Sequence, residues 1–139
     1  RMRLPDLAFL KDNPETVINK AELWLPAEED VHGGRFDRPA ELFVLTKNAS
    51  GEFVATPDQT SGAVNINGGY DAENAAYRFT LTSTIQQHLN ESLDSDELYI
   101  VSSRGGIAFQ GVHLSGSQPI EGDTLAVPRH ARIVLTFSR

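Results

Sequence analysis

The amino-acid sequence predicts an all-β fold: a two-sheet antiparallel β-sandwich, jelly-roll-like, with one short helix. Three observations predict it. Apolar and polar residues alternate with a period of two in several short segments, as they do where a strand has one buried face and one wet face. The segments are separated by loops rich in Gly, Pro, Asn and Asp, which tolerate the backbone angles of tight turns. A helical period is legible once only, so the crossover helices that a parallel α/β sheet requires are missing.

The elements follow in order. Over residues 17–25, Ala21, Leu23 and Leu25 point one way and Lys20, Glu22 and Trp24 the other, and Pro26 ends the strand because it has no N–H for a ladder. Residues 41–47, "ELFVLTK", are apolar on both faces and read as a central strand. The turn "NASGE", with Asn48 and Gly51, then leads into Phe53 and Val54 as a hairpin. Tyr77, Phe79 and Leu81 alternate with Arg78, Thr80 and Thr82 in the clearest amphipathic strand. The period then lengthens: Ile85, Leu89 and Leu93 recur every four residues, and Ser83 stands three before Gln86 as in a capping box. A helix of about two to three turns fits there. Strand character returns over 97–103, over 107–114 with a break at Gly111, and over 131–139, where Ala131, Ile133, Leu135 and Phe137 share a face.

Length and charge narrow the function. With 139 residues, 40% hydrophobic and 22% charged, the chain has the make-up of one globular domain and not of a disordered tail. Nineteen acidic against twelve basic residues give a formal charge of -7, and the basic residues are scattered. That balance repels phosphate backbones, so no nucleic-acid partner is expected. The absence of cysteine excludes disulfides, thiolate-bound zinc and thiol chemistry together. No apolar run approaches the ~20 residues of a membrane helix. The opening at Arg1 is expected of a piece of a longer chain, with residues 1–16 as a lead-in and 17–139 as the sandwich.

Five segments carry a family resemblance: "INKAELWLP", "GGYDAENAAYRFTLTSTIQQHLN", "ELYIVSS", "GVHLSG" and "ARIVLTFSR". Together they resemble the C-terminal region of the Bacteroidetes secreted lipoproteins grouped as domain of unknown function 4270, although Thr80 stands where that family tends to show asparagine. The resemblance implies an exported protein of the cell envelope, anchored at the outer membrane and facing either the periplasm or the surface. It also implies attachment by a lipid outside this chain. It implies no catalytic residue.

His32, His88, His113 and His130 share no metal-ligand spacing, and His88 falls on the exposed side of the helix. Asp71, Glu73 and Asn74 in one loop, and Asp94, Asp96 and Glu97 in another, offer oxygens for calcium, but neither has the spaced ladder of an EF-hand. Acidic and amide residues also favour loops because they hydrogen-bond local backbone. For sugar stacking the candidates are Trp24, by periodicity on a polar face, with Tyr70 and Tyr99. The preferred reading is that a loop or the helix covers Trp24, as is usual for large aromatics. Asp123-Thr124-Leu125 resembles a short O-glycosylation sequon of exported Bacteroidetes proteins, with Thr124 as acceptor.

The expectation is therefore a module without catalysis or cofactor, structural or binding a protein or glycan at the cell surface. A carbohydrate-binding module is the alternative, and an enzyme of unknown type a weaker one.

Overall fold

The computed structural model describes residues 1–11, 15–28, 37–60, 68–102, 112–116, 118 and 129–138. They form an all-β sandwich of two four-stranded antiparallel sheets. The first contains β1 (Met2–Arg3), β7 (Glu97–Ser102), β3 (Leu42–Lys47) and β4 (Phe53–Ala55), in that spatial order. The second contains β5 (Tyr70–Asp71), β6 (Ala76–Thr80), β2 (Val17–Pro26) and β8 (Arg132–Ser138). Three helices join them, α1 (Ala8–Lys11), α2 (Pro57–Thr60) and α3 (Thr82–Leu89), not the single helix expected. Two of the three are one-turn elements, too short to leave a period in the sequence.

The alternation sorts side chains as their polarity demands. Leu23 and Leu25 of β2, Tyr77 and Phe79 of β6, Val44 of β3 and Leu98 of β7 are buried between the sheets. Each such residue contributes roughly 1.5–3 kcal/mol by leaving water. In β2, Ile18 and Ala21 are both buried although three residues apart. A bulge between Ile18 and Lys20, opposite Phe137 and Thr136 of β8, inserts the extra residue that resets the phase. The segment read as a lead-in contributes to the same core: Met2 and Arg3 pair with Leu98 and Glu97, and Leu4, Leu7 and Leu10 are buried. The strand expected over 107–114 lies partly outside the described residues; Leu114 makes a single bridge to Ala27.

Helix α3 takes the place of a missing strand. β6 ends at Thr80, so the backbone of β2 below Glu22 has no ladder partner on that side. The first turn of α3 supplies one. Thr82 Oγ1 accepts from Ala21 N–H at 3.0 Å, Gln86 Oε1 accepts from Ile18 N–H at 2.8 Å, and Leu81 N–H donates to Ala21 C=O at 2.9 Å. Gln86 is thus occupied by β2, and no capping box forms, for the helix has no side-chain cap of its own. Its first-turn N–H groups are instead met by Asp58 of α2, whose carboxylate accepts from Ser83 N–H and Thr84 N–H at 2.8 Å each.

Tyr77 is fully buried and donates its hydroxyl to the Pro39 carbonyl at 2.6 Å, which ties β6 to the approach to β3. Burial pushes its pKa from 10.0 up to about 12. A raised pKa in the folded state means stability that is whole below the unfolded value and lost as pH rises through the folded one. Tyr77→Phe is therefore expected to cost about 1 kcal/mol near neutrality. The gap to the parent protein should close between pH 10 and 12, as read from urea unfolding at several pH values. A gap constant across that window would contradict the assignment.

Candidate functional site

Each sheet buries one face, and the outer face of the first is apolar as well. On β3, buried Leu42, Val44 and Thr46 alternate with outward Phe43, Leu45 and Lys47. On β7, Leu98 and Ile100 pack on the core and Tyr99 and Val101 turn outward. The register sets Phe43 beside Val101, Leu45 between Tyr99 and Ala55, and Lys47 beside Phe53. Phe43, Val101 and Phe53 remain 36%, 37% and 58% exposed. The Phe53 and Tyr99 rings meet edge to face, 4.9 Å apart at 83°, with the Lys47 ammonium 5.3 Å from both centroids.

The rim of this face is polar. Tyr99 donates its hydroxyl to Glu97 at 2.6 Å, and Arg1 and Arg3 lie 3.3 and 3.9 Å from the same carboxylate. The Tyr99 hydrogen bond, with help from the cations, holds the Glu97 carboxyl below its ordinary range against a smaller effect of burial. An apolar centre with a charged rim is the anatomy of a protein-docking surface. Of its members only Tyr99 stands out in the sequence as a binding candidate. The double-sided apolarity of "ELFVLTK" was the available signal, and it fits a central strand equally well.

The other two aromatic candidates lie elsewhere. Trp24 is on the outer face of the second sheet, the opposite side of the sandwich, beside its cross-strand neighbours Arg78 and Arg132. Their guanidinium carbons stand 4.4 and 5.1 Å from the indole centroid, one contributed by each flanking strand. Trp24 Nε1 is covered and lacks a hydrogen bond among the described residues. Among the described residues, these two arginine side chains flank the ring. Arg78 also donates to Glu22 at 2.9 Å, and Lys20 pairs with Glu22 at 3.2 Å. Burial works to raise the Glu22 carboxyl, but these two hydrogen-bonded cations outweigh it and hold the group below the usual range. Tyr70 leans on Tyr77 at 5.2 Å and is capped by Arg38 at 4.4 Å. Trp24, Tyr70 and Tyr99 therefore share no surface.

Carboxylates of both acidic loops are engaged by other groups of the chain, those of the first loop by its own backbone. Asp71 Oδ1 accepts from Glu73 N–H and Asn74 N–H at 3.0 and 3.2 Å, and Oδ2 accepts from the Asn74 amide at 2.8 Å. The Asn74 side chain first, then those backbone donors and Arg78, depress the Asp71 pKa against a contribution from burial. This fixes the β5–β6 turn, in which Ala75 adopts φ 47°. Asp94 accepts from Ala49 N–H at 3.1 Å, and Asp96 pairs with Arg3 at 3.2 Å. Among the described residues no group of three His, Asp or Glu is placed to hold a metal ion. His88 is partly covered and lies 3.2 Å from the Pro5 carbonyl, His113 is exposed, and His32 and Thr124 lie outside the described residues.

One end of the sandwich opens into a cavity of about 840 Å³ between the sheets, walled by Leu25, Leu42, Ile100, Leu114 and Ala131. Arg1 and Arg3 also line it, but both are drawn to Glu97. No family model, curated protein or solved structure matches the chain.

Proposed function

We propose that this chain is a non-catalytic interaction module of a bacterial cell envelope, and that it docks a protein partner through the outer face of its first sheet. The observation that carries the reading is the row of exposed Phe43, Phe53 and Val101 and half-buried Leu45 and Tyr99 that the three-strand register sets side by side. A partner with an apolar centre of its own suits this face, because the gain comes from removing those side chains from solvent. A glycan suits it less well. Pyranose faces stack on flat rings, and Phe53 and Tyr99 stand at 83° to one another. The envelope setting, with membrane attachment only by a lipid outside these 139 residues, rests on the family resemblance of the five segments.

A photo-crosslinking residue at position 53, in protein produced in its native host, tests the reading against the same residue at position 17. Val17 is 53% exposed and belongs to the other sheet. Adducts to one protein species are expected from position 53 and not from position 17. That partner, once purified, should bind the Phe43→Ser/Phe53→Ser variant at least tenfold more weakly, at an unchanged melting temperature, as loss of two interface anchors requires. Equal adducts from both positions, or adducts to glycan alone, would overturn the proposal.

A further inference from the structure

Docking on the outer face of the first sheet carries an electrostatic condition, and Lys47 sets it. Lys47 is half-buried at the end of β3, on the same face as Phe43 and Leu45. Phe53 stands beside it on β4, and Tyr99 lies diagonally across from it on β7. The two rings are 4.9 Å apart, and the ammonium is 5.3 Å from each centroid. Attraction to the rings holds this cation against the apolar row.

The other charges beside the row are matched. Glu97 accepts the Tyr99 hydroxyl and lies by Arg1 and Arg3, and Asp96 pairs with Arg3. Glu97 feels Lys47 through space, but among the described residues no carboxylate forms an ion pair with the Lys47 ammonium. A partner that covers Phe53, which is 58% exposed, also strips water from the ammonium held beside it. A cation that loses water and gains no acceptor opposes binding.

We infer, on the docking role proposed above, that the partner is a different protein and that it sets an aspartate or glutamate carboxylate against Lys47, inside an apolar contact with Phe43, Phe53 and Val101. The carboxylate supplies the acceptor that Lys47 lacks, and the pair strengthens as water leaves. Lys47 thereby sets specificity. An apolar surface of similar shape without an acid leaves the ammonium unpaired, and a basic surface repels it. A second copy placed face to face brings Glu97 and Asp96, which its own Tyr99, Arg1 and Arg3 already hold.

The probe is the protein captured in the native host by a photo-crosslinking residue at position 53, then purified without crosslinking. Its affinity for the parent chain and for three variants is read by titration calorimetry. Lys47→Met keeps the stem and removes the charge, and should weaken binding about thirtyfold or more. Lys47→Glu opposes two acids and should weaken it about a hundredfold or more. Lys47→Arg keeps the charge and should stay within about fivefold of the parent. Carbodiimide treatment of the parent complex should join Lys47 Nζ by an amide to an aspartate or glutamate of the partner, located by mass spectrometry. If Lys47→Met binds as tightly as the parent while Phe43→Ser/Phe53→Ser binds at least tenfold more weakly, the inference falls and the docking role stands. If position 53 captures no protein, or the phenylalanine variant binds as the parent does, both fall. Capture of this chain alone, or Lys47 coupled only within its own chain, would also overturn the inference.

Discussion

Gly68→Ala is expected to lower the stability of the protein by about 3–5 kcal/mol, a large share of the 5–15 kcal/mol typical of a domain. Two costs add. Gly68 has φ +84°, in the left-handed region where a Cβ costs roughly 1–2 kcal/mol. The new methyl would also be driven into the Leu42 carbonyl and the Phe79 ring, both fixed by the core. Neither can withdraw cheaply: Gly68 donates to Arg78 C=O at 2.6 Å and accepts from Leu42 N–H at 2.8 Å, joining β6 of one sheet to β3 of the other. Gly51→Ala is the control. Gly51 has φ +80° with open space where a Cβ would go, so only the backbone cost of about 1–2 kcal/mol applies. Urea midpoints of the two variants separate the terms, and equal losses would show that the close approach at Gly68 is not what the residue provides.

Asp58→Ala is expected to cost about 3–4 kcal/mol, more than an ordinary helix cap at 0.5–2 kcal/mol. Its carboxylate is buried and accepts three bonds at the start of α3: from Ser83 N–H, from Thr84 N–H, and from Thr84 Oγ1 at 2.7 Å. Removing it strands these donors, of which Thr84 is itself buried. The helix carries Thr82 and Gln86, which complete β2, so the damage should spread to the sheet. Asp58→Asn keeps the acceptor oxygen but turns an amide toward one donor, and should lose roughly half as much. Amide exchange is the sharper reading: protection of Ile18 and Ala21 should fall along with that of α3. Loss confined to α2 would refute this remote cap.

These two residues mark how far the sequence can be read. Alternation around Leu23, Phe79 and Leu135 prescribes strands, because a side-chain period of two is a property of each strand alone. The change to a period of four at Ile85 prescribes α3 for the same reason. Ser83 and Gln86 look like a capping box because local spacing permits one, yet Gln86 is claimed by Ile18 and the cap comes from Asp58, 25 residues earlier than Ser83. A contact between distant segments leaves no periodic trace. The candidate site divides in the same way. That Tyr99 turns outward is implied by Leu98 and Ile100 on either side of it. That Tyr99 stands beside Phe53, while Trp24 lies on the opposite side of the sandwich between two arginines, depends on which strands are neighbours.

By itself, then, the sequence determined the all-β class, the outward and inward faces of most strands, the position of α3 and the exclusion of cysteine chemistry. Each of these follows from residues that are near neighbours in the chain. Only the tertiary structure decided the pairing order, the contribution of Leu4, Leu7 and Leu10 to the core, the Asp58 cap and the apolar outer face of the first sheet. Those depend on segments far apart in sequence meeting at hydrogen-bond and van der Waals range, where shape and register, and not local pattern, select the partner.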